Sequence, residues 1–196
     1  MGPDASGEAM SGYADLLDGV DRLAVRLSER YGTHLVCGAG CAGCCRCDLS
    51  VFTVEAAAVE SALLALPVES RRRIVDLARE AQEREVRGEP VSCPCLLDDR
   101  CVIYAARPTI CRTQGLPLLY EIEDGTREVD FCPLNFSKPG ATDELEEDHL
   151  VPLDRMNLQL ALVNLEFCRS QGRQTCESGT RQRISDLVLR LDLRST

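Results

Sequence analysis

Cys37-Gly38-Ala39-Gly40-Cys41-Ala42-Gly43-Cys44-Cys45-Arg46-Cys47 is the stretch around which this chain must be organised. Five thiols in so short a run, separated by glycine and alanine, supply too little apolar volume for a core and too many reactive groups for an ordinary surface turn. Cys41-Ala42-Gly43-Cys44 has the two-residue spacing that lets two sulfurs meet one tetrahedral ion. Gly38, Gly40 and Gly43 permit the positive-φ conformations that turn backbone amides inward, where they can hydrogen-bond thiolate sulfur. The run is a candidate metal-binding loop.

Composition narrows the classes. A chain of 196 residues can bury its own core and suggests one domain. A formal charge of −10 disfavours non-specific binding to nucleic acid or to anionic membrane, since both demand a basic surface. Twelve cysteines exceed ordinary usage without reaching the density of a small disulfide scaffold. The first residues carry no basic and apolar signal segment, and no apolar run reaches the ~18 residues of a membrane span. A reducing cytoplasm is therefore the expected compartment, where clustered cysteines serve as metal ligands or redox centres more often than as disulfides.

Outward from the loop, the pattern is helical. Residues 1–10 are small, polar and acidic and are expected to be disordered, leaving 11–196 as a single domain. From Ser11, Leu16, Leu17, Val20, Leu23, Ala24 and Leu27 recur at helical spacing, and Gly32 follows the charged end of that helix. Thr53 is a candidate N-cap for an alanine-rich helix from Val54 to Leu66, stopped by Pro67. A third helix is predicted from about Glu69 to Arg87, with Ile74, Leu77, Ala78 and Ala81 inward and Gly88 beyond its end.

Cys93-Pro94-Cys95-Leu96-Leu97-Asp98-Asp99-Arg100-Cys101, continuing to Cys111-Arg112, surrounds its thiols with turn signals and is predicted to be mostly irregular. Leu118, Tyr120 and Ile122 alternate up to Asp124-Gly125, and Val129 and Phe131 follow, as in a β-hairpin. Such a hairpin would return Cys132 towards Cys111. Residues 137–150, with Pro139-Gly140 and an acidic run, read as an exposed loop. From Asp154, the apolar positions Met156, Leu158, Leu160, Leu162, Val163, Leu165 and Phe167 fall on more than one face, which predicts a largely buried helix ending before Gly172. A last helix is expected over about 179–193, with Ile184, Leu187, Val188 and Leu191 on one stripe.

Both cysteine segments together resemble the YkgJ-type CxxCxxCC cysteine-cluster family, described as zinc- or iron-chelating proteins and related to the flagellin N-methylase FliB. The matching residues are Cys41-x2-Cys44-Cys45, Cys93-Pro94-x-Leu96, Cys101-x-Ile103-Tyr104 and Arg107-Pro108-x2-Cys111-Arg112, within about residues 35 to 135. Three residues separate Cys37 from Cys41 where the family pattern has two. Cys47 and Cys95 look like additions, and Cys168 and Cys176 lie outside the matched region. The resemblance implies chelation, and through FliB it implies protein lysine methylation as an alternative activity.

Cys37, Cys41, Cys44, Cys45, Cys93, Cys101, Cys111 and Cys132 are the candidate ligands. Their number exceeds one zinc site, so two zincs, an iron–sulfur cluster, or a mixture of ligating and spare thiols would account for them. Adjacent Cys44 and Cys45 favour a multi-atom centre or two neighbouring ions. An iron–sulfur cluster or polynuclear iron is preferred, with zinc, including a purely structural zinc module, as the alternative. His34 and His149 are possible further ligands. Arg46, Arg100, Arg107 and Arg112 either offset thiolate charge or pair with surface carboxylates. There is no P-loop, nucleotide-binding glycine fingerprint, nucleophile elbow or His-Glu-x-x-His motif. The expected fold is mainly α, with helices packed around an irregular cysteine-rich metal-binding centre and one small β-hairpin.

Overall fold

The computed structural model describes residues 4–38, 40–172 and 180–191. It is mainly α, as the periodicity predicts, with small sheets tucked between the helices. The first helix, α1 (Asp4–Tyr31), begins well before Ser11. The expected disorder therefore fails for residues 4–10; Ala9 and Tyr13, one turn apart on the same face, are both buried, and that packing extends the helix towards its N-terminus. After the cysteine loop come β1 (Ser50–Phe52), α2 (Thr53–Ala65) and α3 (Val68–Val86). Leu66 is extended and Pro67 precedes α3, so proline breaks the helical ladder where expected.

Residues 93–112 are more ordered than their turn signals suggest. β2 (Leu96–Leu97) and β3 (Arg100–Cys101) form a two-residue hairpin in which Asp98 and Asp99 both take positive φ, 51° and 56°. Paired left-handed residues match the twist of the flanking strands, and aspartate tolerates them better than most residues. A short helix, α4 (Thr109–Thr113), follows and carries Cys111. The predicted hairpin is present as β4 (Leu118–Glu121) and β5 (Arg127–Asp130), and β6 (Val151–Pro152) adds in parallel to β4. Among the described residues there are thus two hairpins rather than one.

The helix α5 (Leu153–Ser170) buries Met156, Leu160, Asn164, Phe167 and Cys168, a single stripe, while Leu158 and Leu162 face outward at 62% and 57% exposure. It is half-buried, not largely buried. The last helix shrinks to α6 (Ile184–Leu189), preceded by β7 (Arg181–Arg183), which pairs antiparallel with β1. Asp48, just past the cysteine loop, sets that boundary: its carboxylate accepts the Ser185 amide (3.2 Å), the Ser185 hydroxyl (2.6 Å) and Arg183 Nε (2.7 Å). The parts of the 179–193 expectation at residues 179, 192 and 193 lie outside the described residues.

Among the described residues, apolar side chains gather in three clusters. One joins α2, α3 and α6 to Cys95, Leu97 and Ile103. A second packs the C-terminal half of α1 against Leu116, Phe136, Val151 and Met156. The third packs the N-terminal half of α1 against α2 and α5. The cysteine loop links Leu35, packed on the second cluster, to Leu49, packed on the first. Among the described residues, no helix is long and apolar enough to cross a membrane.

Candidate metal centre

The loop 37–47 has little structure of its own. A 3-10 turn spans Gly43–Cys45, and of the three loop glycines expected to use the left-handed region only Gly40 does, at φ +86°, while Gly43 starts the 3-10 turn. Its position is set from outside, by two backbone anchors. At one end Asn135, fully buried, accepts the Val36 amide (2.9 Å) and donates through Nδ2 to the Gly115 carbonyl (2.6 Å) and to Cys37 Sγ (3.5 Å). The Phe136 amide bonds the His34 carbonyl (3.0 Å), closing a second link beside it. At the other end the Cys93 amide donates to the Cys45 carbonyl (2.8 Å). The two cysteine-bearing halves of the chain are thereby stitched together.

All eight candidate ligands carry free thiols. Cys37 has Cys41, Cys132 and Cys44 as electrostatic neighbours, and burial, opposed by the Asn135 hydrogen bond and joined by those neighbours, pushes its thiol up. Cys45, Cys93, Cys101 and Cys111 form the other group. Burial, followed by repulsion from Cys93, Cys45 and Cys101, pushes Cys111 up to about 12, with Arg107 opposing. Cys45 is likewise pushed up to about 12, first by burial and then by Cys44, Cys93 and Cys101. Cys132, expected near Cys111, is among the charge neighbours of Cys37. The hairpin reverses the chain as predicted, but the Cys132-to-Asn135 turn, closed by the Asn135 amide on the Cys132 carbonyl (2.8 Å), carries the thiol to the far end of the loop.

Two sulfurs of the second group have neighbouring donors that favour their ionised form. Cys93 accepts the thiol of Cys95, which is the main reason its own pKa falls, and also the Cys95 amide two residues on. The Ile103 amide, again two residues on, bonds Cys101 and opposes the rise that burial imposes. Cys95, which seemed a spare thiol, is thus a donor to a candidate ligand, and its own pKa is pushed well up. Cys47, also an addition, sends its thiol to the Cys44 carbonyl (3.4 Å). Cys168 is buried and disulfide-bonded, and Cys176 lies outside the described residues.

The donor set is chemically suited to a thiophilic metal: reduced thiols from distant segments, backbone amides on two sulfurs, and a guanidinium close to Cys101 and Cys111. Among the described residues, no three histidine, cysteine, aspartate or glutamate side chains stand close enough, as oriented, to clasp one ion.

The surrounding groups divide by role. Arg107 lies over the Tyr104 ring, 3.6 Å from its centroid, and faces the thiols. Arg112 instead reaches the Asp21 carboxylate on α1 (2.5 Å) and the carbonyls of Arg107 (2.9 Å) and Ala105 (2.5 Å), so it braces the segment before Cys111. His34 stacks on Phe136 and bonds Glu144 (3.1 Å), and His149 pairs with Glu146 (3.1 Å). Both histidines therefore point to the acidic loop.

Three residues that sequence reasoning passed over hold this site. Glu55, 2% exposed, accepts the Phe52 amide (3.0 Å) through one oxygen and the Thr109 amide (3.0 Å) through the other. It caps α2 and α4 together, displacing Thr53 from the N-cap role to the first helical position, and so fixes Cys111 relative to the loop. A glutamate at the third helical position was the legible signal. Asn135 and Asp48 are the others; an asparagine three residues past Cys132 and an aspartate directly after Cys47 gave only generic turn signals.

No family model, no curated protein and no solved structure matches the chain.

Proposed function

We propose that this protein binds iron, as an iron–sulfur cluster or as ions, or zinc in its place, through the thiolates of Cys37, Cys41, Cys44, Cys45, Cys93, Cys101, Cys111 and Cys132. The observation that carries the proposal is the approach of reduced sulfurs from residues 37–45 and from residues 93–132, held by the Cys45–Cys93 backbone bond and the Asn135 bridge. Binding would deprotonate the thiols, replace their repulsion by metal–sulfur bonds and turn the side chains inward, so part of the folding free energy becomes metal-dependent. A bound iron–sulfur cluster would supply one-electron chemistry; a bound zinc would supply structure alone. Arg107 would lower the charge of the loaded centre, and Tyr104 and Ile103 would limit its contact with water.

Anaerobic purification followed by elemental analysis and absorption spectroscopy tests the proposal. A brown protein whose visible absorbance bleaches on reduction supports iron–sulfur, and a colourless protein with stoichiometric zinc supports the zinc form. Cys44→Ser should lose much of the bound metal. A fully reduced, folded chain that takes up neither metal refutes the proposal.

A further inference from the structure

We propose that the outer face of α5 is a self-association surface: a second copy of this chain lays its own α5 antiparallel along a seam of Leu158, Leu162 and Leu165, and charged residues close the seam at both ends. This pairing stands apart from the thiols and does not depend on metal binding.

The seam is laid down by the sequence. Arg155, Leu158, Leu162, Leu165 and Arg169 recur at alternating steps of three and four residues, the spacing that keeps one line of a helix against another helix over several turns. That line accounts for the apolar positions of α5 falling on more than one face. Met156, Leu160, Asn164 and Phe167 point to the core, and on a helix of about 3.6 residues per turn the leucine line lies on the opposite side. Leu158 and Leu162 are the most exposed of it, and Leu165 is half-buried. One exposed leucine is ordinary, whereas three in a row along one helix leave a continuous apolar strip in water.

The charges beside the strip select its occupant. Asp154 and Arg155 stand at the N-terminal end of α5, Glu166 and Arg169 at the C-terminal end, and all four are exposed. Among the described residues no ion pair holds Arg155, Glu166 or Arg169 within the chain, and Asp154 accepts only the Glu121 amide (2.9 Å) through one oxygen. Turning a second copy end for end about the level of Ala161 sets each Leu158 between Leu162 and Leu165 of the other. The same operation brings Arg155 level with Glu166 and Asp154 level with Arg169, so every charged group at the rim meets its opposite, twice over by symmetry. A parallel pair would instead set each arginine level with its own copy. The complementarity is therefore to this chain itself, in one orientation.

The test is sedimentation equilibrium of the full chain at rising concentration, as purified and again with reductant and chelator present. The mass should approach twice that of the chain under both conditions. Leu162→Glu should stay monomeric throughout while keeping the helical circular dichroism of the parent, since the changed side chain lies outside the core. Arg155→Glu and Glu166→Arg should each weaken the dimer about tenfold, and the double variant should return to within about threefold of the parent. That rescue distinguishes the antiparallel pairing from any other use of the face. A dimer that disappears with reductant and chelator would be bridged by cysteines or metal and would overturn the proposal. So would a dimer untouched by Leu162→Glu, or a double charge variant no tighter than the single ones. A parent chain monomeric at every concentration would mean that something other than this chain covers the strip, and would overturn it as well.

Discussion

Replacing Gly115 with alanine should strike the site through a single methyl group. Gly115 has φ +89°, in the region where an L side chain costs roughly 1–2 kcal/mol. A Cβ built there would stand 2.5 Å from Cys37 Sγ, far inside contact distance, and 3.3 Å from Asn135 Nδ2, a few tenths of an ångström too tight. Forcing such an atom into a packed site adds about 1–3 kcal/mol, reduced to the extent that the exposed Cys37 side chain swings away. Gly115→Ala should therefore cost about 2–4 kcal/mol in all. Urea denaturation with reductant and chelator present measures this without metal linkage. In a Cys37→Ala background the sulfur is gone, the backbone strain and the milder Asn135 contact remain, and the cost should fall to about 1–2.5 kcal/mol. A cost below about 0.5 kcal/mol, or an identical cost in both backgrounds, would refute the claim that Gly115 is required by the close approach of Cys37.

Glu55→Ala leaves the buried Phe52 and Thr109 amides without their acceptor and should destabilise the chain by about 3 kcal/mol, whereas Glu55→Gln keeps one acceptor oxygen and should cost about half as much; equal urea midpoints for the two variants would show that the double cap is not what matters. Metal-free protein should lose stability as pH rises from about 9 towards 12, because Cys111 and Cys45 stay protonated in the fold while the unfolded thiols ionise, so the unfolded chain binds fewer protons. Cys111, the more buried, should contribute up to about 1.4 kcal/mol per pH unit, and Cys111→Ser should flatten the slope; a urea midpoint that rises between about pH 8 and pH 10 would contradict the sign.

Much of the fold was legible from local pattern. Helical periodicity located α2 and α3 to within a residue or two, because their apolar stripes, Pro67 and Gly88 act through neighbours in sequence. Asp124-Gly125 announced the β4–β5 hairpin in the same way. Where contacts came from afar, local reasoning missed. The start of α1 depends on Ala9 and Tyr13 packing against α2 and α5, the half-exposure of α5 on what covers only one of its faces, and the start of α6 on a carboxylate more than a hundred residues earlier.

For the site, the spacing Cys41-x2-Cys44 and the turn residues around Cys93 and Cys101 sufficed to mark thiols as the chemistry-bearing groups, since spacing alone determines which sulfurs lie within one turn of each other. Which distant sulfurs become neighbours was decided by the tertiary structure. Cys132 is brought towards Cys37 because Asn135, which closes the turn from Cys132, bonds across to Val36 and Gly115, and Cys111 towards Cys45 and Cys93 because Glu55 ties α4 to α2. Buried amides must find acceptors wherever the fold supplies them, and that requirement is written in three-dimensional packing rather than in the order of residues along the chain.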